Sequence, residues 1–252
     1  MRVSIITVVY NGAENIEDSV RSVIGQTHKD IEYLVIDGGS TDGTLDILRR
    51  YEDGITKIVS EPDNGIYDAM NKGLGMASGD IVGILNSDDL YADNRVIENV
   101  VEHFSEKRVD SCYGDLVYVD RRNTNIPVRH WKSGEFVRNR FRSGWMPPHP
   151  TFFVKRDVYD KYGFLNVDFP LAADYELMLR LLYRYEVSTT YIPRVLVKMR
   201  TGGTSTPGLY TVRAVAENYK AWKVNNLNPN PITFVLKPLS KLFQYVNTKA
   251  AL

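Results

Sequence analysis

An α/β fold, with a mainly parallel twisted sheet flanked by helices and a helical C-terminal extension, follows from three observations on this 252-residue chain. Short apolar runs alternate with amphipathic stretches from Val3 to Phe104, the rhythm of right-handed βαβ crossovers. Two of those runs stop abruptly at carboxylates, one at Asp37 and one at the adjacent Asp88 and Asp89. In open α/β sheets, ligands bind beyond the carboxyl ends of the strands, so these acids fall where chemistry is expected. The length suffices for one large core and a second small element without disulfide or metal support.

Taken in order, residues 3–9 (VSIITVV) read as a strand, and Ile16, Val20, Val23 and Ile24 then recur at helical spacing. Residues 31–36 form the next strand, followed by a helix carrying Leu45, Leu48 and Tyr51. A third strand at 55–59 leads through the turn Glu61-Pro62-Asp63-Asn64-Gly65 into a helix near 68–77. The fourth strand, 81–85, delivers Asn86-Ser87-Asp88-Asp89; beyond it Asp93 is expected to cap a helix with Val96, Ile97, Val100 and Phe104 on one face. After Asp110 the rhythm breaks into strands at 111–119 and 126–131, then an irregular stretch, 132–150, rich in Arg, Gly, Pro and aromatics, of the kind that carries binding surfaces. A strand at 151–154, a short helix, a stronger helix introduced by Asp174, and β-structure over 187–197 follow before the Gly202-Gly203 turn. The last segment is helical and broken by Asn228-Pro229-Asn230-Pro231.

Charge is balanced at 31 basic and 31 acidic residues, so no global field draws the chain to nucleic acid. Cys112 is the single cysteine and forms no intrachain disulfide, which suits a reducing compartment. The N-terminus enters a strand directly, without the basic and apolar regions of a signal peptide, and no run approaches the roughly 18 apolar residues of a membrane span. A cytoplasmic protein is expected, soluble or peripheral at the inner face of the plasma membrane. From Tyr219 onward there are no acids but five lysines, with Ile232, Val235, Leu236, Leu239, Leu242, Phe243 and Val246 at helical spacing. That pattern suits an interfacial basic helix and equally a helix packed on its own domain.

Hard oxygen ligands at Asp88 and Asp89 suit Mg²⁺ or Mn²⁺, though adjacent aspartates after a strand also serve as turn residues or caps. From the residues alone, Asp37-Gly38-Gly39 reads as a turn, with Ser40 or Thr41 free to cap the next helix. Asp174 is, by type and position, a good helix N-cap. Gly73-Leu74-Gly75-Met76-Ala77-Ser78 nearly spells a dinucleotide fingerprint, but it follows a helix and precedes a strand, the reverse of the required order.

Taken as an ordered set, Val3 to Asn11, Asp37-Gly38-Gly39-Ser40-Thr41-Asp42-Gly43-Thr44, Asn71-Lys72-Gly73, Ala77-Ser78-Gly79-Asp80 and Asn86-Ser87-Asp88-Asp89 resemble the inverting family-two glycosyltransferases of GT-A fold, over residues 1–205. The resemblance implies a nucleotide-binding half at 1–110, an acceptor half at 111–205 and an extension at 206–252. It further implies that Asp37 accepts from the base, that Thr7 or Tyr10 flanks it, and that Asn11 and Asn71 belong to the nucleotide site. Asp89 would coordinate the metal on the diphosphate, and Asp88 the ribose or the metal's water. Asp174 would be the base that activates the acceptor hydroxyl, with Glu176 as second choice. Many relatives carry Glu before that aspartate, whereas this chain has Ala173. His149, Arg200 and the 201–205 loop would face the diphosphate or acceptor, and Trp145 or Trp131 would stack on the acceptor sugar or pack in the core. No Gln-x-x-Arg-Trp segment of the processive synthases occurs. The implied activity is transfer of one sugar from a UDP-type donor to a saccharide or lipid-linked saccharide, in surface polysaccharide assembly. A nucleotide-sugar-binding subunit without turnover is the alternative, and a homodimer is left open.

Overall fold

The computed structural model describes residues 1–202 and 209–229, the side chains of 209–211 excepted. Every residue of β1 (Val3–Val9) is buried, as befits a strand covered on both faces. Parallel partners flank it: β2 (Ile31–Asp37) with β3 (Lys57–Ser60) beyond, and β4 (Ile81–Ile84) on the other side. The side chains of β1 and β2 alternate between two cores. Ile6, Val8, Leu34 and Ile36 meet Ala69, Met70 and Leu74 of α3 (Ile66–Met76). Val3, Ile5, Val9, Tyr33 and Val35 meet Ile16, Val20 and Val23 of α1 (Ile16–Ile24) and Val96, Ile97, Val100 and Phe104 of α4 (Val96–Lys107). Between them, α2 (Thr44–Arg49) follows β2. Gly73 sits in α3 because a Cβ there would come 2.4 Å from Ile6 Cγ2; it is a close-packing residue in a helix, not part of a cofactor loop.

Beyond Asp110 the sheet continues without a break, but antiparallel pairs enter it. β8 (Phe153–Lys155) runs antiparallel to β4 and to β6 (Ser111–Val119), which pairs parallel with β9 (Thr189–Arg200) and antiparallel with β7 (Pro127–Trp131). Among the described residues the nine strands order as β3-β2-β1-β4-β8-β6-β9-β5, with β5 at Asp89–Tyr91 and β7 beside β6, so the parallel character belongs to residues 1–110 and the remainder is mixed. Between Gly114 and Leu116 the β6–β9 register shifts where Pro193 lacks a ladder donor.

Some local expectations are corrected. β5 (Asp89–Tyr91), too short for any period to reveal, pairs antiparallel with β9, placing Asp89 opposite Met199. Asp93 does not cap α4; its Oδ1 accepts from the Arg95 N–H at 2.8 Å, while Gln26 Oε1 accepts from the Ile97 N–H at 3.0 Å. Neither Ser40 nor Thr41 caps α2, whose N-cap is Gly43 at φ +96°. Asp174 is the second residue of α6 (Ala173–Met178), whose N-cap is Ala172. A π-helical turn, Leu179–Arg184, continues α6 after α5 (Arg156–Tyr162) has led the chain off β8. α7 (Leu209–Val224) packs on α6 through buried Trp222, whose Nε1 donates to Tyr175 Oη at 2.9 Å. The apolar repeat from Ile232 onward lies outside the described residues. Among the described residues no helix is long and apolar enough to cross a membrane.

Candidate active site

The carboxyl ends of β1, β2, β3 and β4 form one rim, and the acids that end these strands gather there. Asp37 closes β2 fully buried, its Oδ2 accepting from the Gly39 and Ser40 N–H groups at 3.1 and 3.0 Å and from Ser60 Oγ at 2.6 Å. Its Oδ1 is buried without a partner, an acceptor left over after the turn is satisfied. A Cβ on Gly38 would come 2.4 Å from Asp63 Oδ2 and 3.4 Å from the Tyr10 ring, so glycine lets both side chains close on the turn that follows Asp37. Tyr10, 67% exposed, stands over it. Asn11 adopts φ +49° and bridges the two loops, its N–H donating to Ser40 Oγ at 2.7 Å and its Oδ1 accepting from the Thr41 N–H at 2.9 Å.

The second acidic group follows β4. Asn86 Nδ2 donates to Asp89 Oδ2 at 3.2 Å, and Asp89 Oδ1 and Asn86 Oδ1 are both buried without a partner. Burial, and then the charge of Asp88, pushes the Asp89 carboxyl up to about 8. A carboxylate kept dry and half-bonded is what a divalent cation relieves. Among the described residues no three His, Cys, Asp or Glu side chains cluster as metal ligands, so the fit is to a cation held by one or two carboxylates and completed by substrate phosphates and water. Asp89 and Asp88 suit that arrangement.

From the second part of the sheet, Asp174 Oδ2 lies 3.0 Å from His149 Nδ1, and Tyr67 Oη donates to Asp174 Oδ1 at 3.2 Å. Burial lowers the His149 pKa, but the Asp174 carboxylate, and to a lesser degree Asp89, outweigh it, and the net shift is upward. Sequence reasoning found His149 and Asp174 separately and missed both their pairing and Tyr67. Ser60, at the end of β3, was legible by the same strand-end rule that found Asp37, whereas nothing local marks Tyr67.

Several expected site residues have other work. Thr7 points to the α1 face of the sheet, fully buried, its Oγ1 accepting from Tyr33 Oη at 3.1 Å, so only Tyr10 is left to flank a base. Asn71 clamps the Leu165 backbone, accepting from its N–H at 3.0 Å and donating to its carbonyl at 2.8 Å. Glu176 lies two residues beyond Asp174, about 200° around the helix. Its buried carboxylate takes Arg180 Nε at 3.0 Å, the second Arg180 nitrogen at 3.1 Å and Asn225 Nδ2 at 2.9 Å, which commits it to structure. Arg200, only 5% exposed, is bound to Asp18 and donates to the Asp88 carbonyl at 2.9 Å and the Arg121 carbonyl at 3.2 Å. It braces the acidic loop and has no exposed face to offer an anion. Trp145 is walled in by Tyr113, Phe136 and Phe141 with the Arg140 guanidinium 4.3 Å above it, and so packs a wall. Ala173 is buried in the core, so an acid is absent there without opening the site.

A parallel sheet with acids along its carboxyl rim, continued by a mixed sheet whose helix carries a further carboxylate, Asp174, is the architecture of a GT-A glycosyltransferase. The chain belongs to Glycosyl transferase family 2, whose sequence model matches residues 4–163. It is 37% identical over 185 residues to an uncharacterized glycosyltransferase of Mycobacterium tuberculosis, covering 71% of this chain and 68% of the relative. Its fold is similar to that of the S. aureus TarS fragment 1-349 in complex with UDP, with TM-score 0.71 at 17% identity, covering 100% of this chain and 73% of that one. A mannosyltransferase from Pyrobaculum calidifontis in complex with GDP-Man and Mn²⁺ is similar at TM-score 0.64 and 21% identity, covering 99% and 70%.

Proposed function

We propose that this enzyme moves one sugar, with inversion at the anomeric carbon, from a UDP-sugar to a saccharide or lipid-linked saccharide, with Mg²⁺ or Mn²⁺ as cofactor. The observation that carries the reading is the pair of buried, unpartnered carboxylate oxygens on one rim, Asp37 Oδ1 and Asp89 Oδ1. The first suits the ring N–H of a pyrimidine base under Tyr10, and the second suits a cation. Neighbours of the same fold that hold UDP, or GDP-Man with Mn²⁺, support the donor class.

Asp89, with Asp88, would hold the metal, which when bound neutralises charge on the departing diphosphate. Asp174 would take the proton of the acceptor hydroxyl as its oxygen attacks the anomeric carbon opposite the leaving group, and that direction of attack inverts the centre. His149 and Tyr67 fix the carboxylate in one orientation. Bacterial surface polysaccharide assembly at the inner face of the plasma membrane is the setting this activity fits, and the acid-free basic stretch after Tyr219 supports a peripheral contact with anionic lipid.

Calorimetric titration with UDP and with GDP, in Mn²⁺ and in chelator, tests the reading. Mn²⁺-dependent binding of UDP is expected. Equal affinity in chelator would remove the metal, and failure of both nucleotides to bind would overturn the donor assignment.

A further inference from the structure

With Arg200 buried beneath the acidic loop, any basic side chain that meets a diphosphate beside the metal comes from elsewhere on the rim. Arg200 donates both to the Asp88 carbonyl and to the Arg121 carbonyl, at 2.9 and 3.2 Å, so the turn between β6 and β7 that carries Arg121 is fixed within one guanidinium's span of the acidic loop. The Arg121 side chain itself is 46% exposed. One of its terminal nitrogens lies 2.7 Å from Glu14 Oε2, and the other donates to the Gly202 carbonyl at 3.3 Å. Glu14, 63% exposed, belongs to the loop after β1, and Gly202 to the turn after β9. A single side chain therefore ties three segments of the rim together beside Asp88.

The Glu14 carboxyl is held below its usual range by the hydrogen bond and charge of Arg121 first, with Arg122 and Arg200 adding smaller contributions. It is a carboxylate set among three guanidinium groups. An exposed pair of this kind contributes little to stability, so exchanging its anion for another costs little. A diphosphate offers the guanidinium fork two oxygens on one face and carries more charge than a carboxylate.

We propose that Arg121 is a binding residue for the donor diphosphate, and that Glu14 occupies its guanidinium as a placeholder until the donor arrives. The inference rests on the nucleotide-diphosphate reading above. It assigns opposite effects to the two members of one ion pair, which a purely structural latch would not produce.

The test is calorimetry in Mn²⁺ with UDP, or with GDP if that is the nucleotide bound, and with the corresponding nucleoside, on the wild type, Arg121→Ala and Glu14→Gln. Arg121→Ala is expected to weaken UDP binding tenfold or more while leaving uridine binding unchanged, the latter showing that the base site is still folded. Glu14→Gln is expected to tighten UDP binding severalfold, since the competing carboxylate is gone. Unchanged UDP affinity in Arg121→Ala overturns the clamp, and so does a Glu14→Gln variant weakened as much as Arg121→Ala. A wild type that binds neither UDP nor GDP overturns the nucleotide reading itself, which separates that failure from failure of the clamp.

Discussion

Asp89 should cost the metal-free protein stability that its removal restores. The side chain is fully buried, Oδ2 takes Asn86 Nδ2 at 3.2 Å, the Arg200 backbone N–H adds a weaker contribution, and Oδ1 has no hydrogen bond. Burial, reinforced by Asp88, raises its pKa from 3.8 to about 8, so the folded state holds this proton where the unfolded chain releases it. Stability of the metal-free protein therefore falls as pH rises from the unfolded value and levels off above about 8. From 3.8 to neutrality is about three pH units at about 1.4 kcal/mol each, a penalty of up to about 4 kcal/mol at pH 7. An amide of the same shape cannot ionise, so Asp89→Asn should unfold at higher urea than the wild type at pH 7 to 8 in chelator, by on the order of 1 M. The gain should fade below about pH 4, and Mn²⁺ should stabilise the wild type but not the variant. A variant with the same or lower urea midpoint than the wild type at pH 8 in chelator would refute the reasoning.

Asp174→Asn should lower transfer by about 10² to 10⁴ while leaving UDP affinity nearly intact, because a base acts on the acceptor's proton and not on the nucleotide. Glu176→Gln, assayed beside it, should retain turnover once folded but melt earlier, since it breaks a pair in which Glu176 is 3% and Arg180 12% exposed; such losses run to about 3 kcal/mol. Asn71→Ala strips both hydrogen bonds from the Leu165 backbone and should cost about 1 to 3 kcal/mol in denaturant melts, with UDP binding unmoved. For Glu32, burial pushes the carboxyl up, but the hydrogen bonds from Ser4 and Ser78 outweigh it and the net pKa is lowered from 4.5. Its contribution is thus present above about pH 4.5 and lost as pH falls through the lower folded value, and Glu32→Gln should flatten that acid limb of the stability profile.

What the sequence determined by itself is the scaffold of the parallel part of the sheet, residues 1–110, and the identity of its acids. Hydrophobic periodicity is a local property, and a strand buried on both faces, such as Val3–Val9, announces itself in the chain. Asp37 at the end of one apolar run and Asp88 and Asp89 just after another are equally local signals, and so the acids were legible before any contact was known. Their electrostatics were not, because a raised pKa at Asp89 requires the burial that only the packed sheet supplies. Tertiary structure alone decided which polar side chains were already spent. Asn71 and Leu165 are 94 residues apart, Arg200 and Asp88 112, and Tyr67 and Asp174 107, and no periodicity reports pairings at that range. The three-residue strand that begins at Asp89 is formed by β9 far along the chain, and the mixed part of the sheet arises the same way. Residue type could nominate Arg200 for an anion and Asp174 for a helix cap; only the packing could show that one braces the acidic loop and the other faces His149.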